Sequence, residues 1–247
     1  MLMPIPLSKS NPSARSPAQV NSLSRLALLK QLPLFAGLTE DELAGIAEDF
    51  TRRCFHEGEP IFYQGDSGCR LYLIESGQVR IYVQSEDGHE LSVSVISVGD
   101  VFGEMAVIDG QPRSASAVAM ERTVVLSLEG ERFWRNVQRL PLLSVNFLRL
   151  LSVRLRSSTR TMDNLTLSVE VRLARKLLEL AQTHGGVEPD GVRINLALTQ
   201  SDWASLLATS RESVNKALGK FRQRGLIRRR LGQIIITNSE LMQALSE

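Results

Sequence analysis

The sequence predicts an α+β chain with an antiparallel β-roll, then one long helix, then a winged helix-turn-helix. Three observations predict it. Between residues 51 and 128, short runs of strand-forming residues alternate with glycine-containing turns, which is typical of a small antiparallel barrel or roll. From about 139 to 162, apolar residues recur at spacings of three and four, which indicates a helix. Two short helices with N-terminal capping residues and a basic hairpin follow in the order of a winged helix-turn-helix.

These boundaries divide the chain into four parts. Residues 1–22 contain four prolines among serine and asparagine, so we expect a flexible arm there. The β-roll domain covers 23–138, the dimerisation helix with its hinge covers 139–163, and the winged helix-turn-helix domain covers 164–247. The pair Asp163-Asn164 can break the long helix and so supplies the predicted hinge.

Length and composition exclude several classes of protein. At 247 residues the chain can hold two domains with separate cores, and its 43% hydrophobic residues and net charge of +2 are typical of a soluble globular protein. No apolar run could cross a bilayer and no signal peptide is recognisable, so we expect a cytoplasmic protein without membrane contact. Cys54 and Cys69 are too few for a disulfide framework or a thiolate-rich metal site.

Local signals mark the ends of several elements. Thr39 and Glu42 form a capping box for a short helix. Pro141 stands where it can start the long helix, because proline suits the first helical position. A further amphipathic helix from about Val169 is stopped by Gly185-Gly186.

The segment 103–115 is the candidate ligand site. Gly103 lets backbone N–H groups approach an anion closely, and a short helical turn after it would aim donors at that anion. Arg113 offers a fork of donors suited to a phosphate, and Ser114 adds a hydroxyl. Glu104 would repel a phosphate but can accept a hydrogen bond from a ribose hydroxyl. For these residues considered alone, a Glu–Arg ion pair that closes a turn is the alternative.

The long helix carries a narrow apolar stripe flanked by arginines. Its spacing is that of a coiled-coil seam, so we predict that two copies of the chain pair along it. A helix that packs only on its own domain is the alternative. The predicted seam positions are Leu148, Leu151, Leu155 and Met162. Ser158, with Thr159 beside it, interrupts the stripe, and a ligand that reached the seam would give these hydroxyls a partner.

The two short helices of the C-terminal part predict a DNA-reading surface. Thr199 caps the first and Ser210 caps the second, and the second helix of such a pair enters the major groove. We expect Arg211 to bond guanine and Glu212 to accept a hydrogen bond from cytosine. The predicted DNA-binding residues are Thr199, Gln200, Ser210, Arg211, Glu212, Ser213, Asn215, Lys216, Arg228, Arg229 and Arg230.

The last three of these arginines predict a basic wing against the phosphate backbone. Residues 193–230 hold nine cations against two acidic residues, a local charge of about +7, while the rest of the chain is acidic. An ordinary helical pair with a solvated basic surface is the alternative.

These motifs, in this order, resemble those of the Crp/Fnr family of bacterial transcription regulators over roughly residues 34–237. Phe102-Gly103-Glu104 with Arg113-Ser114-Ala115 is similar to the family's phosphate-binding cassette, and Ser210-Arg211-Glu212 to the start of its recognition helix. The resemblance implies a cyclic-nucleotide-binding β-roll of the double-stranded β-helix type. It also implies a homodimeric, sequence-specific DNA-binding transcription regulator under allosteric control of a cyclic nucleotide, with cAMP the expected one.

The resemblance also implies roles for site residues. In the family cassette the Glu holds the ribose 2′-hydroxyl, while the Arg, the Ser and backbone amides hold the cyclic phosphate. Adjacent hydroxyls at the positions of Ser158 and Thr159 contact adenine from both subunits. The implied ligand-binding residues are Gly103, Glu104, Met105, Arg113, Ser114, Ala115, Ser158 and Thr159. In this role cAMP is an allosteric effector, and no prosthetic group is expected.

The partners implied by the resemblance are double-stranded DNA, a second copy of the chain and RNA polymerase. The expected operator is a palindrome with TGTGA-like half-sites, because Arg211 and Glu212 match the family's base-reading pair. Lys216 stands where a second Arg is found and lacks its bidentate fork, so the outer base preference is open. The four-cysteine iron–sulfur sensor of the oxygen-responsive branch is absent from the sequence.

Two other functions fit parts of the sequence. A related regulator that is ligand-independent or senses another signal would keep the DNA function, but Glu104, Arg113 and Ser114 argue against a vestigial cassette. A cyclic-nucleotide-binding regulatory subunit of an enzyme would not need the basic helix-turn-helix. The sequence has no Ser/His/Asp or Cys/His arrangement and no metal-ligand cluster, so we predict no enzyme, no catalytic residue and no metal site.

Overall fold

The computed structural model describes residues 25–84, 90–164, 167–196 and 198–246, with the backbone alone for 157–164. The predicted N-terminal arm lies outside these residues. The predicted α+β class is confirmed, because a β domain, a long helix and a C-terminal helix-turn-helix domain follow one another. None of the helices in the described ranges is long and apolar enough to span a membrane.

In the described part of the chain, two helices precede the strands. Residues 25–31 belong to α1, and α2 spans Glu40–Asp49 after a 3-10 turn at Pro33–Phe35. The predicted capping box is present, since the Glu42 N–H donates to Thr39 Oγ1 at 3.3 Å and the Thr39 N–H donates to Glu42 Oε2 at 2.7 Å. These reciprocal bonds satisfy N–H groups that the first turn of a helix leaves unpaired.

Among the residues that the structure describes in the N-terminal half, eight strands form two antiparallel four-stranded sheets. Across the first sheet the order is β1 (Thr51–Phe55), β8 (Thr123–Glu129), β3 (Arg70–Ser76) and β6 (Val101–Phe102). Across the second it is β2 (Pro60–Phe62), β7 (Ser116–Ala119), β4 (Val79–Gln84) and β5 (Glu90–Ile96). Both sheets contribute to one apolar core, in which the rings of Phe62, Tyr72 and Phe102 stack at centroid distances of 5.1 to 5.9 Å. The sheets stay open, which leaves β5 at an edge.

Three helices complete the N-terminal half: α3 (Met105–Asp109), α4 (Gly130–Arg139) and α5 (Pro141–Asn164). α5 begins at Pro141 as predicted. Asp163 and Asn164 are the last two residues of α5, so the pair belongs to the helix and does not interrupt it earlier. Asp and Asn are weak helix formers. Their helix propensity is less favourable than that of alanine by only about a few tenths of a kcal/mol each, which is too little to end a long helix before its last turn.

A second core fixes the start of α5 to the β domain. Leucines of β3 and β8 pack there against α1, α2 and α4, together with Phe147 of α5. Asn146 donates from Nδ2 to the carbonyls of Leu34 at 3.1 Å and Ala36 at 2.9 Å. The first half of α5 is therefore held by its own domain.

One face of α5 is left open to solvent. Leu148 is 63% exposed and Leu155 is 70% exposed, and Val145 lies before them on the same face. Leu151 differs from the other predicted seam residues, because it is partly buried against the core of its own domain. The side chain of Met162 lies outside the described residues.

Over residues 167–196 and 198–246, the C-terminal domain combines four helices with one four-stranded sheet. Its helices are α6 (Val169–His184), α7 (Gln200–Leu206), α8 (Arg211–Gln223) and α9 (Ser239–Ser246). Its sheet has the order β11 (Ile227–Arg230), β12 (Gln233–Ile236), β10 (Gly191–Ile194) and β9 (Gly185–Glu188). The sequence predicts α6, the two central helices and the basic hairpin of this domain, but it does not predict β9 or α9. β9 begins at Gly185 and Gly186, directly after α6. The sequence pattern at these glycines indicates the end of a helix and not the start of a strand.

Candidate functional site

The segment 103–115 folds as the sequence predicts, into a short helix and a return. Gly103 follows β6 with φ of 72°, a left-handed conformation that favours glycine. α3 then ends at Gly110, whose φ is 69° and whose N–H donates to Ala106 O at 3.2 Å. The chain returns through Pro112 and brings Arg113 back beside Gly103.

Arg113 lies inside the β domain and not at its surface. Its side chain is only 5% exposed, and the guanidinium carbon lies 4.3 Å from the ring centroid of Phe62. Nη1 donates to Gly103 O at 2.5 Å and Nη2 donates to Arg70 O at 2.7 Å. A Cβ atom at Gly68 would lie 2.6 Å from Arg113 Nε, so this packing needs glycine at position 68.

The same guanidinium carries an unused donor. Arg113 Nε is buried and has no hydrogen-bond partner among the described residues. Burial lowers the pKa of Arg113, and Tyr72 and other nearby groups offset this only in part, so its environment disfavours the charged form. An anion beside it would supply both a partner and a compensating charge. Ser114 presents an exposed hydroxyl next to Arg113, 3.4 Å from Met105 Sδ, and Ala115 is half-buried. These residues fit a phosphate.

Glu104 pairs with the long helix and not with Arg113. Only 4% of it is exposed, and its Oε1 accepts from Arg154 Nη1 at 2.6 Å. Arg154 also donates to the carbonyl of Val101. The alternative of a Glu104–Arg113 ion pair is therefore not what the structure contains. Oε2 of Glu104 has no hydrogen-bond partner in the described parts of the chain, so it can accept from a ligand hydroxyl.

Arg154 is the site residue that sequence reasoning missed. The sequence predicts it only as one of the arginines that flank the apolar stripe, because no local motif links it to a carboxylate 50 residues earlier. The available signal was indirect: a buried Glu needs a counter-charge, and α5 is rich in arginine. Ser158 and Thr159 follow Arg154 on the same helix, but their side chains lie outside the described residues.

The helix-turn-helix has the predicted caps. Thr199 and Asp202 form a capping box, with the Thr199 N–H bonded to Asp202 Oδ2 at 2.8 Å and the Asp202 N–H to Thr199 Oγ1 at 3.2 Å. Ser210 caps α8 by accepting from the Ser213 N–H at 3.2 Å, and its hydroxyl also donates to Ser213 Oγ at 3.0 Å. Of the predicted DNA-binding residues, Ser210 and Ser213 thus have a defined role in starting the helix.

The exposed face of α8 collects the predicted base-reading side chains. Arg211, Glu212, Asn215 and Lys216 are all exposed, whereas Val214, Ala217 and Phe221 on the opposite face are buried. Asn215 Nδ2 donates to Gln200 Oε1 at 3.0 Å, which links the two helices at their outer surface. The predicted surface is therefore brought together on one side of the domain.

The turn between α7 and α8 contains a strained backbone conformation and is held by a side-chain hydrogen bond. Ala208 adopts φ of 46°, a left-handed conformation that costs a residue with a Cβ atom. Arg172 of α6 donates to the carbonyl of Leu207 at 2.6 Å. This bond holds the turn from the side of the domain core.

The basic wing is partly neutralised by its own domain. Arg228 forms an ion pair with Asp190, and Arg230 Nη1 lies 3.9 Å from Glu188 Oε2. Arg229 is exposed and has no acidic partner in the part of the chain that the structure describes. Of the three wing arginines it is the one whose charge is fully available to a phosphate.

The two domains meet where α7 packs against the edge strand β5. The Ser205 hydroxyl donates to Glu90 O at 3.1 Å and accepts from the Ser92 N–H at 2.5 Å. Val95 of β5 is 7% exposed and belongs to the core of the C-terminal domain. A further bond joins Gln78 Nε2 to Asn195 O at 2.9 Å.

Within the described residues, no cluster of His, Cys, Asp and Glu could hold a metal ion.

Comparison with known proteins gives two family matches. The description of the first is "Cyclic nucleotide-binding domain", over residues 52–139, and that of the second is "Crp-like helix-turn-helix domain", over residues 171–245. Among curated proteins, the cyclic AMP receptor protein of Thermus thermophilus is 35% identical over 219 residues, which cover 88% of this chain and 98% of the relative.

Solved structures give the same relationship. The crystal structure of the Thermus thermophilus catabolite activator protein matches with a TM-score of 0.51 at 35% identity, over 87% of this chain and 98% of that chain. The c-di-GMP responsive global regulator CLP of Xanthomonas campestris matches with a TM-score of 0.68 at 26% identity, over 79% of this chain and 99% of that chain.

Proposed function

Because the chain belongs to the Crp/Fnr family of transcription regulators, we propose that it binds operator DNA as a homodimer under the control of a cyclic nucleotide, cAMP. The family consists of regulators and not of enzymes, and the chain has both a cyclic-nucleotide-binding domain and a helix-turn-helix. The observation that carries the ligand proposal is the buried Arg113, whose Nε lacks a partner beside Gly103 and Ser114.

The cassette offers one group for each part of a cyclic nucleotide. Arg113 and Ser114 bind the cyclic phosphate, with the first N–H groups of α3, at Met105 and Ala106, as further donors. Glu104, already fixed by Arg154, accepts from the ribose 2′-hydroxyl through Oε2. Ser158 and Thr159 take the base.

A second copy of the chain pairs along α5. The exposed stripe of Val145, Leu148 and Leu155 supports this, because a lone helix leaves such residues in water at a cost of about 1.5–3 kcal/mol for each large side chain. Dimerisation sets two copies of α8 roughly 34 Å apart, which is one turn of DNA. The operator is then a palindrome, with guanine and cytosine of a TGTGA-like half-site read by Arg211 and Glu212. As a transcription regulator, the dimer contacts RNA polymerase.

The α7–β5 contact supports coupling between the two sites. After β5 only residues 97–100 intervene before β6, and β6 leads directly to Gly103 and Glu104. A ligand that moves the cassette therefore acts on a strand that holds the helix-turn-helix. Because coupling is reciprocal, operator DNA must raise the affinity for the nucleotide by the same factor.

Calorimetry with cAMP, cGMP and cyclic di-GMP tests the ligand. We expect cAMP to bind the full-length wild type and Arg113→Ala to lose that binding, with Arg135→Ala, an exposed arginine on α4, as the control. Cyclic di-GMP is included because the Xanthomonas relative responds to it. If cAMP does not bind, or binds Arg113→Ala as well as the wild type, the effector proposal is wrong.

Mobility-shift experiments test the DNA function separately. Arg211→Ala should lose discrimination at one base pair by about 1–3 kcal/mol, whereas Arg229→Ala should weaken binding to all sequences alike. A chain that binds cAMP but shifts no DNA would instead be a regulatory subunit of an enzyme. A chain that shifts DNA without responding to any nucleotide would be a regulator with another signal.

A further inference from the structure

Two carboxamides join the helices of the helix-turn-helix at their outer surface. Gln200 is the first residue of α7 and Asn215 lies one turn after Arg211 on α8, and Asn215 Nδ2 donates to Gln200 Oε1 at 3.0 Å. Both side chains are exposed. Water competes for exposed hydrogen-bonding groups, so this bond adds little to folding stability. Its main consequence is to fix the orientation of both amides.

The bond leaves each amide with a defined set of free groups. Asn215 has used one N–H, so its Oδ1 acceptor and its second N–H remain. Gln200 uses its Oε1 to accept from Asn215, so its Nε2 remains as a free donor. Neither side chain makes another hydrogen bond within the described ranges of the chain.

We propose that Asn215, oriented by Gln200, reads an adenine of the operator while Gln200 donates to the neighbouring phosphate. The inference rests on the proposed DNA-binding function and assigns a base to it. Adenine presents N7 as an acceptor and N6 as a donor in the major groove, and one free acceptor with one free N–H is the matching set. A phosphate accepts only, which matches the free donor of Gln200.

The neighbours on α8 cannot replace Asn215 in this role. Arg211 and Lys216 carry donors only and therefore favour guanine, and Glu212 carries acceptors only and favours cytosine. Asn215 lies four residues after Arg211 and three after Glu212, so it shares their face of the helix. The adenine it reads therefore lies next to the base pairs that Arg211 and Glu212 contact.

The test is selection of half-sites from a randomised duplex pool by the full-length protein with cAMP. The wild type should prefer A·T at one position beside its G·C contacts. Asn215→Ala should lose this preference alone, and Gln200→Ala should weaken it. Gln223→Ala is the matched control, because Gln223 is an exposed amide near the end of the same helix, away from Gln200.

A second measurement replaces that adenine by 7-deazaadenine, which lacks N7. Wild-type affinity should fall roughly fivefold or more, and Asn215→Ala should show no further loss. Thermal unfolding of each variant shows whether its fold is intact, and the wild-type response to 7-deazaadenine tests the proposal without any variant.

An A·T preference that persists in Asn215→Ala, or a loss that is equal at every position, would overturn the adenine assignment. The second outcome would mean that Asn215 contacts the backbone. A wild type that selects no sequence from the pool would instead remove the proposed DNA function. The two failures are therefore distinguishable.

Discussion

At the scale of single residues, Ala208 in the turn of the helix-turn-helix adopts a strained backbone conformation. A left-handed conformation costs a residue with a Cβ atom about 1–2 kcal/mol, and glycine has no such penalty. Ala208→Gly should therefore raise the free energy of unfolding by roughly 0.5–1 kcal/mol, after the greater entropy of an unfolded glycine is subtracted. Urea unfolding of the full chain measures this.

Gly225 provides the converse control in the same domain. Its φ is 66°, and an added Cβ would meet no atom within 4 Å. Gly225→Ala should therefore lower stability through backbone conformation alone. If Ala208→Gly is neutral or destabilising while Gly225→Ala behaves as expected, the bond from Arg172 to Leu207 compensates the strain at Ala208.

Arg154 is a second residue whose effect can be isolated. Arg154→Ala leaves the carboxylate of Glu104 buried without its partner, and we expect the free energy of unfolding to fall by about 1–3 kcal/mol. Adding Glu104→Gln removes the unpaired charge and should restore part of the loss. Arg156→Ala, at an exposed position of α5, is the control and should change little. Equal effects of Arg154→Ala and Arg156→Ala on urea unfolding would contradict the assigned pair.

At the scale of elements, one hydroxyl of α7 makes two hydrogen bonds to the backbone of β5. Ser205 pairs with both Glu90 O and the buried Ser92, groups that an edge strand otherwise leaves open. Ser205→Ala should reduce the gain in operator affinity caused by cAMP by roughly three- to tenfold, since a net hydrogen bond contributes about that much. Fluorescence titration of operator DNA with and without cAMP measures the ratio.

Ser201→Ala is the matched control for this experiment. Ser201 is exposed on the same helix and makes no bond to the β domain among the residues that the structure describes. The ratio should be unchanged in this variant. A Ser205→Ala protein that keeps the full cAMP effect would show that coupling passes through α5 alone.

The starts of several helices were predictable because their signals are local. Thr39, Pro141 and Ser210 each start a helix through chemistry within three residues. The contacts between distant elements were not predictable in this way. Arg154 finds Glu104 and Ser205 finds β5 only after the chain has folded, since their partners lie 50 and 115 residues away. The cassette could be recognised as a ligand site, but the arginine that holds its carboxylate could not.

At the scale of the whole molecule, His184 should make the assembly of the two domains sensitive to pH. It ends α6 and lies close to the backbone of Val95 in β5, with Asp100 and Glu179 as the nearby charges. Burial lowers the pKa of His184 below its ordinary value of 6.5, and Asp100 offsets this only in part. The folded state therefore favours the neutral imidazole, and the unfolded state binds more protons just below pH 6.5.

Stability should then fall as the pH drops from 6.5 through the lowered pKa of His184, and be independent of this group above that range. Thermal unfolding of the full chain between pH 5 and 8 measures the profile, and His184→Gln should flatten it below 6.5. His56→Gln, at an exposed position of the β domain, should leave it as in the wild type. The carboxylates contribute equally to the pH dependence of the wild type, His184→Gln and His56→Gln. The difference between the stability profiles of the two variants therefore reports the contact that His184 makes between the domains. Identical profiles for both would mean that His184 responds to its own domain and not to β5.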